Sequence, residues 1–210
     1  MMEDITNALA DWMAGGGREM GELHIEPVAG GFVLYHLDDA ERGNFVEYVG
    51  VEAARELAHF DVAGKFRPLK TAPNLRRGWK LRLTSLAELR AALDYFYPAM
   101  LGIWLGHQRG RLTSVPLRDT LARQTGMYAV TRKITDEQAQ TMIAGFCRTD
   151  GGCLKRILWK IAPEVPVTSL PAEKFLPEAP ANTLPLLCHE ACNLLVGKAR
   201  EVVKKSEVPA

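Results

Sequence analysis

The sequence has no long apolar run and no cysteine before residue 147. No segment approaches the roughly 18 uninterrupted apolar residues that a membrane-spanning helix needs. The chain starts with the acidic stretch Met1-Met2-Glu3-Asp4, whereas a secretory signal starts with basic residues and continues as an apolar segment. We therefore expect a cytoplasmic protein that has no membrane partner.

Common catalytic motifs are also missing. The run Gly15-Gly16-Gly17 has no strand before it and no Lys-Ser or Lys-Thr after it, so it is not a phosphate-binding loop. No serine or cysteine nucleophile signature is present. His107 follows an apolar segment, and we interpret it as a capping or surface residue rather than an acid–base group. The sequence therefore indicates no reaction, and whether the protein is an enzyme stays open.

The composition is that of a globular protein, but the charges are unevenly distributed. Hydrophobic residues make up 47% of the chain and charged residues 24%, which suffices for a core. Residues 1–61 contain 13 acidic and 3 basic side chains, residues 62–90 contain 8 basic and 1 acidic, and residues 109–160 contain 10 basic and 4 acidic. Either the two signs neutralise each other across an internal interface, or a basic face binds an anion.

The patterns before about residue 97 predict a small α+β unit. Apolar spacing, glycine stops and a capping box at Ser85 and Glu88 define its elements. We predict helices over 4–14, 51–60 and from Ser85 to near Pro98, and strands over 23–28, 32–37 and 79–83. Ala29-Gly30-Gly31 separates the first two strands, a spacing that predicts a hairpin. The basic stretch from Lys65 to Gly78 is predicted to be a loop.

Residues 98–210 are predicted to form a mainly helical unit, so the fold class is α+β with domains at 1–97 and 98–210. The predicted elements begin with a buried segment over 99–108, a helix from Pro116 to Gly126, and a helix that a Thr135–Gln138 capping box opens and Cys147 ends. They continue with a strand or short helix over 154–161 and an extended proline-rich segment over 163–185. A last helix over 185–205 is predicted to be capped by Thr183, with Pro185 in its first turn.

The four cysteines, Cys147, Cys153, Cys188 and Cys192, are the most informative feature. They form a Cys-x5-Cys pair and a Cys-x3-Cys pair within the last 64 residues. Glycines 151 and 152 allow a tight turn inside the first pair, and on the predicted last helix the second pair would share one face. Four converging thiolates suit one iron–sulfur cluster, most simply a 4Fe-4S cluster.

Three other interpretations of the cysteines stay open. Two disulfides are uncommon in a cytosolic protein, because cytosolic thiols are kept reduced. Four unligated cysteines would behave as small buried hydrophobes. A structural zinc site is the strongest alternative, although zinc sites favour closer Cys-x2-Cys to Cys-x4-Cys pairs in short loops.

The segment from Phe146 to Trp159, together with Cys188-His189-Glu190-Ala191-Cys192, resembles the 4Fe-4S domain appended to sirohydrochlorin cobaltochelatase-like proteins. In that family a stabilising domain precedes the cluster domain, and both follow one or more chelatase domains. The resemblance implies that all four cysteines bind the cluster. The spacing is also similar to that of sirohaem-dependent sulfite and nitrite reductases, but the residues between the second pair differ.

The resemblance implies a redox or structural module of tetrapyrrole metal insertion. The chelatase domain itself is not recognised in these 210 residues, so the expected partners are a chelatase or electron-transfer protein and an anionic tetrapyrrole. Nearby Arg148, Lys155 and Arg156 would favour the reduced cluster. The alternative is a zinc- or cluster-containing nucleic-acid-binding or scaffold protein. A sequence pI of about 7.7 and the lack of a nucleic-acid motif disfavour nucleic acid.

Overall fold

The computed structural model describes residues 2–59, 75–147, 155–161, 182–184, 186–188 and 190–207. The chain divides into two compact units. Unit 1 contains Met1–Gly106 and Glu178–Pro185, and unit 2 contains His107–Pro177 and Leu186–Ala210. Unit 1 is therefore discontinuous in sequence, since the first part of unit 2 is inserted into it. The predicted boundary between a domain of residues 1–97 and a domain of residues 98–210 stays a prediction.

Unit 1 contains a six-stranded mixed sheet. Its strands, numbered in chain order, are β1 (Glu19–Met20), β2 (Leu23–Val28), β3 (Gly31–His36), β4 (Val46–Val49), β5 (Trp79–Leu83) and β8 (Thr183–Leu184). The spatial order is β4-β5-β3-β2-β1-β8. The two outer pairs, β4–β5 and β1–β8, are parallel, and the inner pairs are antiparallel.

The helices of unit 1 are α1 (Met2–Ala14), α2 (Val51–His59), α3 (Leu86–Phe96) and the start of α4 (Met100–Gln108). Helix α3 packs on β3, β5, α1 and α2. Strand β5 alternates as its sequence predicts, because Trp79, Leu81 and Leu83 are buried while Lys80 and Arg82 are not. The Trp79 ring stacks on Phe96 of α3 with centroids 5.5 Å apart.

The β2–β3 hairpin predicted around Gly30 and Gly31 is present, and one glycine in it is required by close packing. A Cβ atom on Gly31 would lie 2.0 Å from the carbonyl oxygen of Leu83. No real Cβ atom tolerates that distance, so glycine lets the end of β5 approach the hairpin. The sheet and the helices packed on it confirm the predicted α+β character of unit 1.

Unit 2 is mainly helical and also contains a small sheet. Its elements are β6 (Leu112–Ser114), α5 (Leu117–Ala122), a 3-10 helix (Gly126–Lys133), α6 (Asp136–Cys147), β7 (Lys155–Ile161), β9 (Leu186–Cys188) and α7 (Asn193–Glu207). The sheet order is β6-β7-β9, with β6–β7 antiparallel and β7–β9 parallel. The core consists of Leu117, Leu121, Ile134, Ala139, Met142, Ile143, Leu195, Val196, Ala199 and Val203.

The two predicted capping boxes form to different extents. At α6 the box is reciprocal: the Gln138 N–H donates to Thr135 Oγ1 (3.2 Å), and the Thr135 N–H donates to Gln138 Oε1 (3.0 Å). At α3 the Glu88 N–H donates to Ser85 Oγ (3.2 Å), but the Glu88 carboxylate accepts from the N–H of Thr84 (2.7 Å) instead of Ser85. Both helices begin where these residues predict.

Two helix predictions in unit 2 were wrong. Helix α5 ends at Ala122 instead of continuing to Gly126, and the helix predicted over 185–205 begins only at Asn193. Residues 186–188 form β9 because their backbone pairs with β7, and Thr183, predicted as a cap, pairs with β1. Helix-start signals at Thr183 and Pro185 could not show these distant pairings. The predicted segments 65–74 and 163–181 lie outside the described residues.

Among the described residues, none of the helices has the length and apolar character that would be needed to cross a membrane.

Candidate metal centre

Cys188 and Cys192 lie at the two ends of a turn between a strand and a helix. Cys188 is the last residue of β9, and its backbone is in register with Leu158 of β7. Cys192 directly precedes α7, and its carbonyl oxygen accepts the first helical hydrogen bond, from the N–H of Val196 (3.0 Å). The prediction that both sulfurs lie on one face of a helix is therefore wrong. A strand end and a helix start present the two thiols instead.

The same apolar core supports both thiols. Cys188 and Cys192 are each half-buried and pack against the core of unit 2. That core includes Leu195 and Val196 from α7 and Ile143 from α6. Such a wall excludes water from one side of the thiols, and their partial exposure leaves them accessible to a metal.

Helices α6 and α7 contribute to the same core, and the start of α6 lies beside the end of α7. Near the start of α6, Gln138 Nε2 donates to Ser206 Oγ near the end of α7 (3.2 Å). Cys147 is the last residue of α6, and Cys192 directly precedes α7.

The structure thus brings together part of the predicted ligand set. Cys188 and Cys192 pack against the same core, and Cys147 ends α6, which contributes Ile143 to that core. Cys153 and Arg148, like the side chains of Cys147, Lys155 and Arg156, lie outside what the structure describes. Within the described part of the chain, no group of three or more His, Cys, Asp or Glu side chains could hold a metal ion.

The start of α7 suits a negatively charged group. The first N–H groups of a helix have no intrahelical partner and carry a partial positive charge. Helices commonly place acidic residues there, but the first turn of α7 has none, whereas α6 begins with Asp136 and Glu137. Thiolates and an anionic cluster beside Cys192 would be stabilised by these N–H groups. The described donors therefore fit a thiolate-bound metal or cluster.

His107, which the sequence analysis considered for acid–base work, is half-buried in the structure. It lies in the last turn of α4, and burial lowers its pKa. A lowered pKa keeps the imidazole neutral at pH 7. The interpretation of His107 as a capping or surface residue stays a prediction.

Unit 1 contains a buried polar cluster that the sequence analysis did not identify. Glu22 Oε1 lies 3.5 Å from His36 Nε2 and accepts from the N–H of Leu75 (3.2 Å), and its Oε2 accepts from the hydroxyl of Tyr97 (3.4 Å). These residues are far apart in sequence, so no local motif indicates the cluster. Its position inside unit 1 suits a structural role, because Glu22 and His36 are almost fully buried.

The structure thus shows a protein of two units, one α+β and one mainly helical, in which Cys188 and Cys192 are half-buried against the core of the second unit. The chain can be assigned more closely, because residues 109–201 match the family of the 4Fe-4S iron-sulfur cluster binding domain and residues 5–108 match the DR2241 stabilising domain. The chain therefore combines these two domain families. The resemblance inferred from the cysteine segments is confirmed.

A solved structure is also similar to this chain. The protein is similar to DR2241 from Deinococcus radiodurans, with 30% identity and a TM-score of 0.60 over 95% of this chain. The match covers 41% of DR2241, which is described as a multi-domain protein with structural similarity to chelatases and two additional novel domains. A comparison with curated proteins found no match.

Proposed function

We propose that this protein binds one 4Fe-4S cluster through Cys147, Cys153, Cys188 and Cys192. In this proposal residues 1–97 form the supporting domain and residues 98–210 the cluster-binding domain. The observation that carries it is the common apolar core beneath Cys188 and Cys192, inside the segment that matches a cluster-binding domain. The same matched segment, residues 109–201, also contains Cys147 and Cys153.

The residues of the chain would hold the cluster and control its charge. A bound 4Fe-4S cluster supplies one-electron redox chemistry and a framework for folding. Leu195 and Val196 keep water from one side of the thiols, and the α7 start stabilises negative charge beside Cys192. Because reduction adds one negative charge, these N–H groups favour the reduced form.

Anaerobically purified protein is expected to contain about four irons and four sulfides per chain, because a cubane cluster takes four thiolate ligands. The measurement is iron, sulfide and zinc analysis of the same preparation, together with its visible absorption. The expected result is a brown protein. A colourless protein with zinc and no sulfide would replace the cluster by a structural zinc site.

We further propose that the cluster-loaded protein works with a chelatase or an electron-transfer protein on a tetrapyrrole. The support is the chelatase-like character of DR2241 together with the charge of this chain. Residues 65–90 and 109–160 hold 18 basic and 5 acidic side chains. Sirohydrochlorin-type rings carry several carboxylates, which guanidinium groups bind through charge-assisted hydrogen bonds.

Cluster-loaded protein is expected to bind sirohydrochlorin at low salt and to bind it more weakly at high salt, because salt screens exposed charges over about 8 Å at physiological ionic strength. Changing Arg148 or Arg156 to Gln should weaken binding. Arg118→Gln is the matched control, since Arg118 NH1 pairs with Asp136 at the other end of α6 (3.2 Å). The measurement is a fluorescence or absorption titration.

Two outcomes would change this part of the proposal. Undetectable binding at low salt would remove the tetrapyrrole as a ligand. Tight binding of an oligonucleotide in a parallel titration would favour the nucleic-acid alternative instead.

A further inference from the structure

Strand β8 belongs to unit 1, although it lies between two parts of unit 2 in the sequence. Thr183 and Leu184 pair with Glu19 and Met20, which places β8 at one edge of the six-stranded sheet. Leu184 is 2% exposed and Met20 is fully buried. Asn182 Nδ2 also donates to the carbonyl oxygen of Gly16 (3.4 Å). The chain is thus fixed to unit 1 through its backbone, an apolar side chain and a side-chain hydrogen bond.

This attachment lies very close in sequence to the second cysteine pair. Only Pro185 separates β8 from β9, and β9 ends at Cys188. Four residues span at most about 14 Å of extended chain. Fixing Leu184 therefore restricts where Cys188 can go, even before a metal binds.

The first cysteine pair lies within a long closed segment. Residues 107–177 contain Cys147 and Cys153, and unit 1 continues on both sides of them, up to Gly106 and again from Glu178. Pairing of β8 with β1 closes this segment in the folded protein. Bringing the two ends of this segment together lowers the entropy of the chain, and this loss occurs during folding rather than when a metal binds.

We infer that β8 positions the second cysteine pair for the cluster, and that Leu184 is a positioning residue that does not touch the cluster. This inference rests on the proposed ligation by four cysteines. Holding Leu184 in the sheet of unit 1 keeps Cys188 and Cys192 near their bound arrangement. If β8 did not pair with β1, the segment that carries Cys188 and Cys192 would have to become ordered each time the cluster binds.

The test is the rate at which a chelator removes iron from the anaerobically loaded full-length chain, followed by the loss of visible absorption. Leu184→Ala should release iron about tenfold faster than the unchanged protein, since a tenfold change corresponds to only about 1.4 kcal/mol. Leu184→Ile should restore a nearly unchanged rate. Leu57→Ala, at a fully buried site on α2, lowers the stability of unit 1 elsewhere and should leave the rate nearly unchanged.

A milder variant provides a result even if Leu184→Ala does not fold. Asn182→Ala removes only the hydrogen bond to Gly16, at an exposed site. It should speed iron release in the same direction by about twofold, as expected for one weak hydrogen bond.

The outcomes separate this inference from the cluster assignment. If the unchanged protein holds no iron, the proposed cluster fails and this inference fails with it. If it holds iron but the Leu184 and Asn182 variants release it at the unchanged rate, only the role of β8 is overturned. Equal acceleration by Leu57→Ala would also overturn it, because the effect would then come from the general stability of unit 1.

Discussion

Replacing Cys188 or Cys192 with alanine is expected to lower the iron content of anaerobically purified protein to less than about half, with parallel loss of sulfide and visible absorption, because a cubane cluster needs a ligand at each iron. The same loss is expected for Cys147→Ala and Cys153→Ala. Each variant should be compared with the unchanged protein after identical reconstitution. The measurement is iron and sulfide per chain.

The position of Cys188 and Cys192 makes this result easy to interpret. Both side chains are small and only half-buried against the core, so alanine removes little packing. A large loss of iron with little change in apo-protein stability therefore reports ligation. Leu194→Ala is the matched control, because Leu194 is 59% exposed and follows Cys192 by two residues. Full iron retention in all four cysteine variants would contradict the assignment.

Local patterns in the sequence predicted most elements of unit 1. Strand β5 shows why: its apolar and charged residues alternate, and one face is buried, so the period of two is visible in the sequence. The capping residues at Ser85 and Thr135 likewise act through hydrogen bonds to nearby backbone groups. Signals of this kind lie within a few residues of the element that they start.

Apart from the early end of α5, the wrong helix prediction concerns pairings between distant segments. Strand β8 pairs with β1, more than 160 residues earlier, and β9 pairs with β7. No local periodicity distinguishes Thr183 as a strand residue from Thr183 as a helix cap. The spacing of Cys188 and Cys192 fits a helix and a strand–turn–helix equally well, so the sequence identified the cysteines but not their geometry.

The apo-protein is expected to lose unit 2 to limited proteolysis well before unit 1, and the loaded protein to resist. In the part of unit 2 that the structure describes, short elements such as the six residues of α5 surround ten buried apolar core residues. Cys188 and Cys192 pack directly against that core. Metal binding at these thiols therefore adds to the folding free energy of the unit. The measurement is mass spectrometry of tryptic fragments over time, with and without cluster.

The decisive comparison uses a chain that cannot hold the cluster. Cys192→Ala, reconstituted with iron and sulfide, should be cleaved in unit 2 like the apo-protein, whereas Leu194→Ala should be protected like the loaded protein. Fragments from unit 1 should appear at the same rate in all samples, because the large sheet and its helices have their own core. Equal resistance of unit 2 with and without cluster would show that its fold does not depend on the metal, and the cluster would then serve redox chemistry rather than folding.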